Sequence, residues 1–128
     1  MNTEHTKYLY ETYPNLYRQH SLPMTETCMC WNFECGDGWF DIIRDLSEVL
    51  TKLDAELGTK TEAVQVKEKF GSLRFYVSGG TELHDEAIND AECQSADTCE
   101  VCGKPGTLRR GGWLVTLCDE CDNKKGRP

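Results

Sequence analysis

The chain has 128 residues and a formal net charge of −8, and this length fits one domain or a small domain with an appended module. The charge is uneven, because residues 1–97 carry −10 and residues 98–128 carry +2. An acidic body argues against broad binding of nucleic-acid backbones, which depends on clustered lysines and arginines. No apolar run approaches the roughly 18–20 residues that span a bilayer, so we expect no membrane partner.

The compartment follows from the N-terminus and the cysteines. The first residues lack the basic and apolar regions of a signal peptide, which predicts a cytoplasmic protein. In a reducing cytoplasm, the eight cysteines are more often metal ligands than disulfide partners.

Residues 3–20 are predicted to be helical, with one interruption. Pro14 is expected to end a first helix and to open a short second one. The residues that fall near one helical face are Leu9, Tyr13, Leu16 and Tyr17. The tyrosines of this segment either cover the core or form a surface for a partner.

A long amphipathic helix is predicted over residues 37–57, because apolar residues recur there at three- and four-residue spacing. Asp37 is placed to cap its N-terminus and Gly58 to end it. This helix is expected to be the main core element.

Alternating apolar and polar residues over 62–77 predict a β-hairpin, or one long strand kinked at Gly71. A second helix is predicted over residues 81–96, with Thr81 as its cap and an acidic outer side.

Two Cys-x-x-Cys pairs, Cys99/Cys102 and Cys118/Cys121, are separated by fifteen residues, a spacing typical of a four-cysteine zinc site. Four thiolates complete a tetrahedron and leave no position for a water molecule, which favours structural Zn²⁺ over catalytic zinc. Iron in a rubredoxin-like site is the alternative metal.

The predicted fold class is therefore α+β: a long amphipathic helix packed on a β-hairpin, and a second helix that leads into a C-terminal zinc ribbon. We expect an acidic body over residues 1–97 and a ribbon over residues 98–121 that packs on the second helix. A short basic tail is expected over residues 122–128.

Two further groups of residues are candidates for sites. Arg109, Arg110 and Trp113 form a possible binding surface at the ribbon tip, where charge and stacking can hold single-stranded nucleic acid. The alternative is a Gly-Gly turn with solvated arginines.

The cysteines outside the ribbon are Cys28, Cys30, Cys35 and Cys93, and a second metal site among them stays open. Free cysteines also occur as small buried apolar residues. Cys35 precedes a predicted helix, where a thiolate can be stabilised, although no partner base is apparent.

Three phrases carry a resemblance to a known family: CMCWNFECGDGWFDII (residues 28–43), VKEKFGSLRFYV (residues 66–77) and TCEVCG…GWLVTLCDEC (residues 98–121). The chain resembles a family of small, largely uncharacterised phage and prophage zinc-ribbon proteins. The resemblance implies a phage or prophage origin and action in the cytoplasm of a bacterial host. It implies no activity.

The sequence contains no recognisable nucleophile, metalloprotease or phosphate-binding motif, so we predict that the protein is not an enzyme. The leading hypothesis is a non-enzymatic interaction protein that binds and modulates a bacterial host protein, in host takeover or counter-defence. The alternative is a nucleic-acid-binding zinc ribbon that acts as a small regulator. A third hypothesis places an enzyme site on the loop Cys35–Trp39.

Overall fold

The computed structural model describes residues 1–124, and within them the chain is a mixed α+β protein, as predicted. It has four α-helices and two small sheets in that range. The helices are α1 (Thr3–Thr12), α2 (Phe40–Leu57), α3 (Glu82–Ser95) and α4 (Asp119–Lys124). The strands are β1 (Phe33–Glu34), β2 (Glu62–Lys69), β3 (Ser72–Ser78), β4 (Thr107–Arg109) and β5 (Val115–Leu117). The last four residues of the predicted basic tail lie outside the described residues, and α4 covers its beginning.

Helix α2 lies at the centre of the core. Its apolar residues recur every three or four positions, which places one side of the helix against the rest of the body. The buried side chains of this helix are Ile42, Ile43, Leu46, Ser47 and Leu50. Gly58 ends the helix in the left-handed conformation, with φ of 69°.

The start of α2 differs from the prediction, because Asp37 does not cap it. A 3-10 turn over Asp37–Trp39 precedes the helix, and no side chain caps either element. The Asp37 carboxylate instead accepts bonds from the Asn2 N–H at 2.7 Å and the His5 ring at 3.0 Å. It therefore fastens the N-terminal segment to this turn.

The N-terminal segment packs across the core. Helix α1 ends at Thr12, just before Pro14, and the next helical stretch is a 3-10 turn over Arg18–Ser21. All four residues of the predicted helical face are buried, namely Leu9, Tyr13, Leu16 and Tyr17. The Tyr17 hydroxyl shares a hydrogen bond of 2.6 Å with Ser47 of α2, so this tyrosine belongs to the core.

The larger sheet has the order β1-β2-β3, with β1 parallel to β2 and β2 antiparallel to β3. Residues 62–78 form a hairpin and not one kinked strand. Its two-residue turn, Phe70-Gly71, has φ of 55° and 88°, conformations that suit the right-handed strand twist. An aromatic residue rarely adopts positive φ, and this strain costs about 1–2 kcal/mol.

Helix α3 covers the outer edge of the sheet. The Ser95 hydroxyl accepts the Leu73 N–H at 2.8 Å, and the Glu92 carboxylate accepts the Phe75 N–H at 3.0 Å. An edge strand with unpaired N–H groups invites pairing with another chain. Side chains of α3 therefore satisfy β3 where a further strand would otherwise bind.

A polar cluster joins the end of α2 to the start of α3. The Asp54 carboxylate accepts bonds from the Thr59 hydroxyl (2.6 Å), the Thr61 hydroxyl and N–H (2.8 and 2.9 Å) and His84 Nε2 (2.9 Å). Nδ1 of the buried His84 accepts the Thr81 N–H at 2.9 Å, which completes a capping box. Burial alone would raise the pKa of Asp54, but these hydrogen bonds lower it below its ordinary value.

Candidate metal centre

Four cysteines come together where the C-terminal segment folds back on itself. Cys99 and Cys102 lie in a tight turn after α3, closed by the Gly103 N–H on the Cys99 carbonyl at 3.0 Å. Strands β4 and β5 then pair antiparallel and return the chain. Cys118 follows β5 directly, and Cys121 lies in the first turn of α4.

The geometry of the four sulfurs confirms that this cluster can hold a metal ion. Their Sγ atoms lie within 4.8 Å of one another, and Cys102 and Cys118 Sγ are 3.5 Å apart. At a Zn–S distance of about 2.3 Å, the sulfurs of a regular tetrahedron lie about 3.8 Å apart. All four are free thiols and only Cys102 is exposed, so the arrangement fits a mostly enclosed ion such as Zn²⁺.

The surroundings of the sulfurs favour thiolate at one position and oppose it at another. Burial opposes ionisation of Cys99, but backbone N–H groups of Cys118, Cys102 and Val101 lower its pKa to about 6. Burial and the neighbouring sulfurs raise the pKa of Cys121 to about 12. A bound metal ion resolves this conflict, because it binds four thiolates and releases their protons.

The first Cys-x-x-Cys turn is bound to the loop before α2. The Gly36 N–H donates to the Glu100 carboxylate at 2.9 Å, and the Gly38 N–H donates to the Glu100 carbonyl at 2.8 Å. The fully buried Trp39 donates its indole N–H to the Thr98 carbonyl at 2.9 Å. The segment CGDGW (residues 35–39) thus forms the surface on which the metal-binding turn packs.

A second contact joins the β4–β5 hairpin to the turn of the β2–β3 hairpin. The buried Thr116 hydroxyl donates to the Gly71 carbonyl at 2.5 Å. A side chain at Gly71 would meet Leu108, since its Cβ would lie 2.5 Å from the Leu108 Cδ1 atom. The ribbon follows α3 along the chain, and these contacts pack it on the 36–39 loop and on the turn of the β2–β3 hairpin. The predicted packing of the ribbon on α3 stays a prediction.

The three residues of the predicted tip surface have different surroundings. Arg109 donates to the Leu117 carbonyl at 3.0 and 3.2 Å and pairs with Asp119 at 2.8 Å and Asp122 at 3.6 Å. Arg109 thereby joins β4 to α4 and is engaged within the ribbon. Arg110 and Trp113 are exposed, Trp113 by 72%.

The remaining cysteines do not form a second cluster. Within residues 1–124, no other group of three or more Cys, His, Asp or Glu side chains converges on one point. Cys28 and Cys93 are exposed, and Cys30 is half-buried. Burial raises the pKa of Cys35 to about 12, so its thiol stays protonated at neutral pH.

The packing of the metal-binding turn on residues 36–39 was not predicted from the sequence. The pattern Gly36-Asp37-Gly38-Trp39 was a signal, because glycines on both sides of a polar residue allow close approach of another backbone. Nothing in the local pattern named the partner, Glu100, which is more than sixty residues away.

In comparisons with known proteins, no protein-family model, curated protein or solved structure matches this chain. None of the helices in the described part of the chain has the length and apolar character needed to cross a membrane.

Proposed function

We propose that this protein is a non-enzymatic interaction protein that binds a protein partner through the groove between α2 and α3, and that its four-cysteine centre holds structural Zn²⁺. The observation that best supports this proposal is an open, apolar groove on the outside of the helical layer. It has a volume of about 230 Å³ and is lined mainly by Ile42, Leu46, Val49, Ala87 and Ala91. Val49 is 44% exposed at this groove, an apolar surface of the kind that partner helices cover.

The charges around the groove indicate the chemistry of the partner. Asp45 and Asp90 lie at its rim, one on each helix. Within residues 1–124, only Asp45 of these two forms an ion pair, with Arg44 at 3.2 Å. Glu82, Glu86 and Asp90 follow one another at four-residue spacing along α3. Like charges at that spacing repel, and a basic partner relieves the repulsion. The groove therefore suits an amphipathic helix with lysines or arginines beside its apolar side.

The metal serves structure in this proposal. Four thiolates fill the coordination shell of Zn²⁺, which leaves no position for a reacting water molecule. The ion holds the turn that sits on Gly36 and Gly38 and thus fastens the ribbon to the body. Origin in a phage or prophage, action on a host protein and location in the bacterial cytoplasm belong to the proposal through the motif resemblance alone.

The alternative function, a nucleic-acid-binding ribbon, rests on Arg110 and Trp113 at the exposed tip. The engagement of Arg109 with Asp119 and Asp122 removes one of the three residues on which that function was based. A tip with one exposed arginine supports it less than the groove supports protein binding.

A model peptide tests the groove directly. A labelled amphipathic helix of leucine and lysine, about 14 residues long, should bind, and its leucine–glutamate counterpart should not. Val49→Lys should weaken binding about tenfold or more, because it places a cation in the groove. The matched control is Leu57→Lys, since Leu57 is 46% exposed at the end of α2 and lies outside the groove.

Capture from a bacterial lysate then identifies the natural partner. A protein retained by the wild type and by Leu57→Lys, but not by Val49→Lys, is the predicted one. Equal peptide binding by Val49→Lys and the wild type would show that the groove is not the binding surface.

A further inference from the structure

The larger sheet has one side packed under the helices, and the residues on its other side, called the open side here, are half-buried or exposed. Val66, Leu73 and Phe75 point inward and are buried. Alternation along the strands and the pairing register place the other residues on the open side. The outward residues are Glu34, Gln65, Lys67, Lys69, Ser72, Arg74 and Tyr76.

Two cations lie directly opposite each other on this open side. Lys67 pairs in register with Arg74 of β3, and like charges in that position destabilise a sheet. Neither forms an ion pair within the described chain, although Glu34 lies beside Lys67 on β1. The buried Nε of Arg74 also lacks a hydrogen-bond partner among residues 1–124. The pair is thus costly to the free protein and suited to an anion.

Aromatic rings lie at both ends of this cationic row. Tyr76 is 42% exposed and follows Arg74 on the same side of β3. Phe70 is 66% exposed in the strained turn, with the Lys69 ammonium 5.5 Å from its ring centre. A strained aromatic residue that is mostly exposed contributes little to packing, which indicates a role in binding.

We propose that the open side of the β1–β2–β3 sheet binds single-stranded nucleic acid. From Ser72 to Tyr76 the strand spans roughly 14 Å, and Phe70 in the turn lengthens the row, which gives room for a few nucleotides, the low end of known single-strand sites. Phe70 and Tyr76 stack on bases, and Lys67, Lys69 and Arg74 neutralise phosphates. This site is separate from the α2–α3 groove and from the ribbon tip.

The arrangement favours a nucleic acid over an acidic peptide, because the exposed rings at the two ends of the cationic row match flat bases. The acidic residues of the proposed groove lie on the helical layer, on the other side of the sheet. At physiological ionic strength their repulsion is screened beyond about 8 Å. A duplex is a poor fit, since it presents its bases stacked and paired.

Fluorescence anisotropy with a labelled oligothymidine of about 12 nucleotides tests the proposal. The double variant Lys67→Gln/Arg74→Gln should bind about tenfold or more weakly. It should also reduce the slope of log affinity against log salt by about 1.4, or 0.7 for each lost phosphate contact. The matched control is Lys7→Gln/Lys52→Gln, which removes two cations from helical ion pairs and should bind like the wild type.

Phe70→Asn separates binding from folding. Asparagine accepts the turn conformation better than phenylalanine, so the variant should keep or raise the Tm while it weakens oligothymidine binding severalfold. The proposal is overturned if the wild type fails to bind at about 50 mM salt, or if the sheet double variant binds as well as the wild type. Equal affinity for an oligoglutamate peptide or for a DNA duplex would also overturn it.

Discussion

At the residue scale, two glycines determine how closely the metal-binding turn approaches the body. A Cβ atom at Gly36 would lie 2.3 Å from the Glu100 carbonyl oxygen, and one at Gly38 would lie 2.1 Å from the Cys99 carbonyl oxygen. Both obstacles are backbone atoms, which cannot rotate aside as a flexible side chain can. The two positions therefore require glycine for space, since neither has a positive φ.

Gly38→Ala should destabilise the protein by about 1–3 kcal/mol, because the added methyl group must push the metal-binding turn away. Chemical unfolding measures the loss, and the rate of zinc release to a chelator should rise. Gly58→Ala is the contrasting variant: it has open space and φ of 69°, so it reports conformational strain alone and should leave zinc release unchanged. Unchanged zinc release in Gly38→Ala would contradict the docking role of this loop.

At the element scale, the hydrogen bonds of Asp54 fasten the helices α2 and α3 to each other. The same carboxylate also orders the 59–61 connection through Thr59 and Thr61. His84 cannot act as a catalytic base in this arrangement, because its Nδ1 is bonded to Thr81 and its Nε2 to Asp54. The Asp–His pair is a structural joint.

Asp54→Asn should cost about 2 kcal/mol at pH 7, because it removes a charged acceptor of several hydrogen bonds. The pKa of Asp54 is lowered in the folded state, so its stabilisation is present above the ordinary value of 3.8 and is lost as pH falls towards the lowered value. The difference between wild type and variant in urea unfolding should therefore shrink below about pH 4.

The control for this prediction is Asp90→Asn, which removes an exposed carboxylate of α3 and should change stability by less than about 0.5 kcal/mol. A difference between wild type and Asp54→Asn that stays constant down to acid pH would show that the carboxylate charge is not what stabilises the joint.

At the scale of the whole molecule, the metal centre and the body form one packed unit. The indole of Trp39 lies in the main core and donates to Thr98 beside the first ligand, Cys99. Thr116 of the ribbon donates to Gly71 of the larger hairpin. A change at the four-cysteine cluster is therefore expected to alter the surroundings of Trp39 in the core.

Zinc removal should change the fluorescence of Trp39, which is fully buried, while Trp31 and Trp113 are 57% and 72% exposed already. We expect a red shift on chelation, because release of the turn exposes the indole. Trp39→Phe should abolish most of this shift. No shift in the wild type would show that the ribbon stays in place without metal.

Elemental analysis of two cysteine variants checks the ligand set. Cys118→Ser should lose most of the bound zinc, because it removes one of the four thiolates. Cys28→Ser should keep a single zinc ion per chain, since Cys28 is exposed and lies outside the cluster. Full zinc content in Cys118→Ser would contradict the assignment of the ligands.

The sequence by itself determined what depends on spacing along the chain. The Cys-x-x-Cys pairs defined the metal cluster, because two tight turns joined by a hairpin bring four thiols together almost independently of the rest. The spacing of apolar residues, and the glycines and prolines between the segments, indicated the mixed α+β class. Pro14 marked the end of the first helix because proline lacks an N–H.

The tertiary structure decided what depends on contacts between distant segments. Asp37 had a good local position for a helix cap, but two N-terminal groups more than thirty residues away bind its carboxylate instead. Arg109 was predicted to be part of a binding surface at the ribbon tip, but in the folded chain it forms ion pairs with Asp119 and Asp122. A local pattern records which groups a residue can offer, and only the packed chain determines which partner is close enough to accept them.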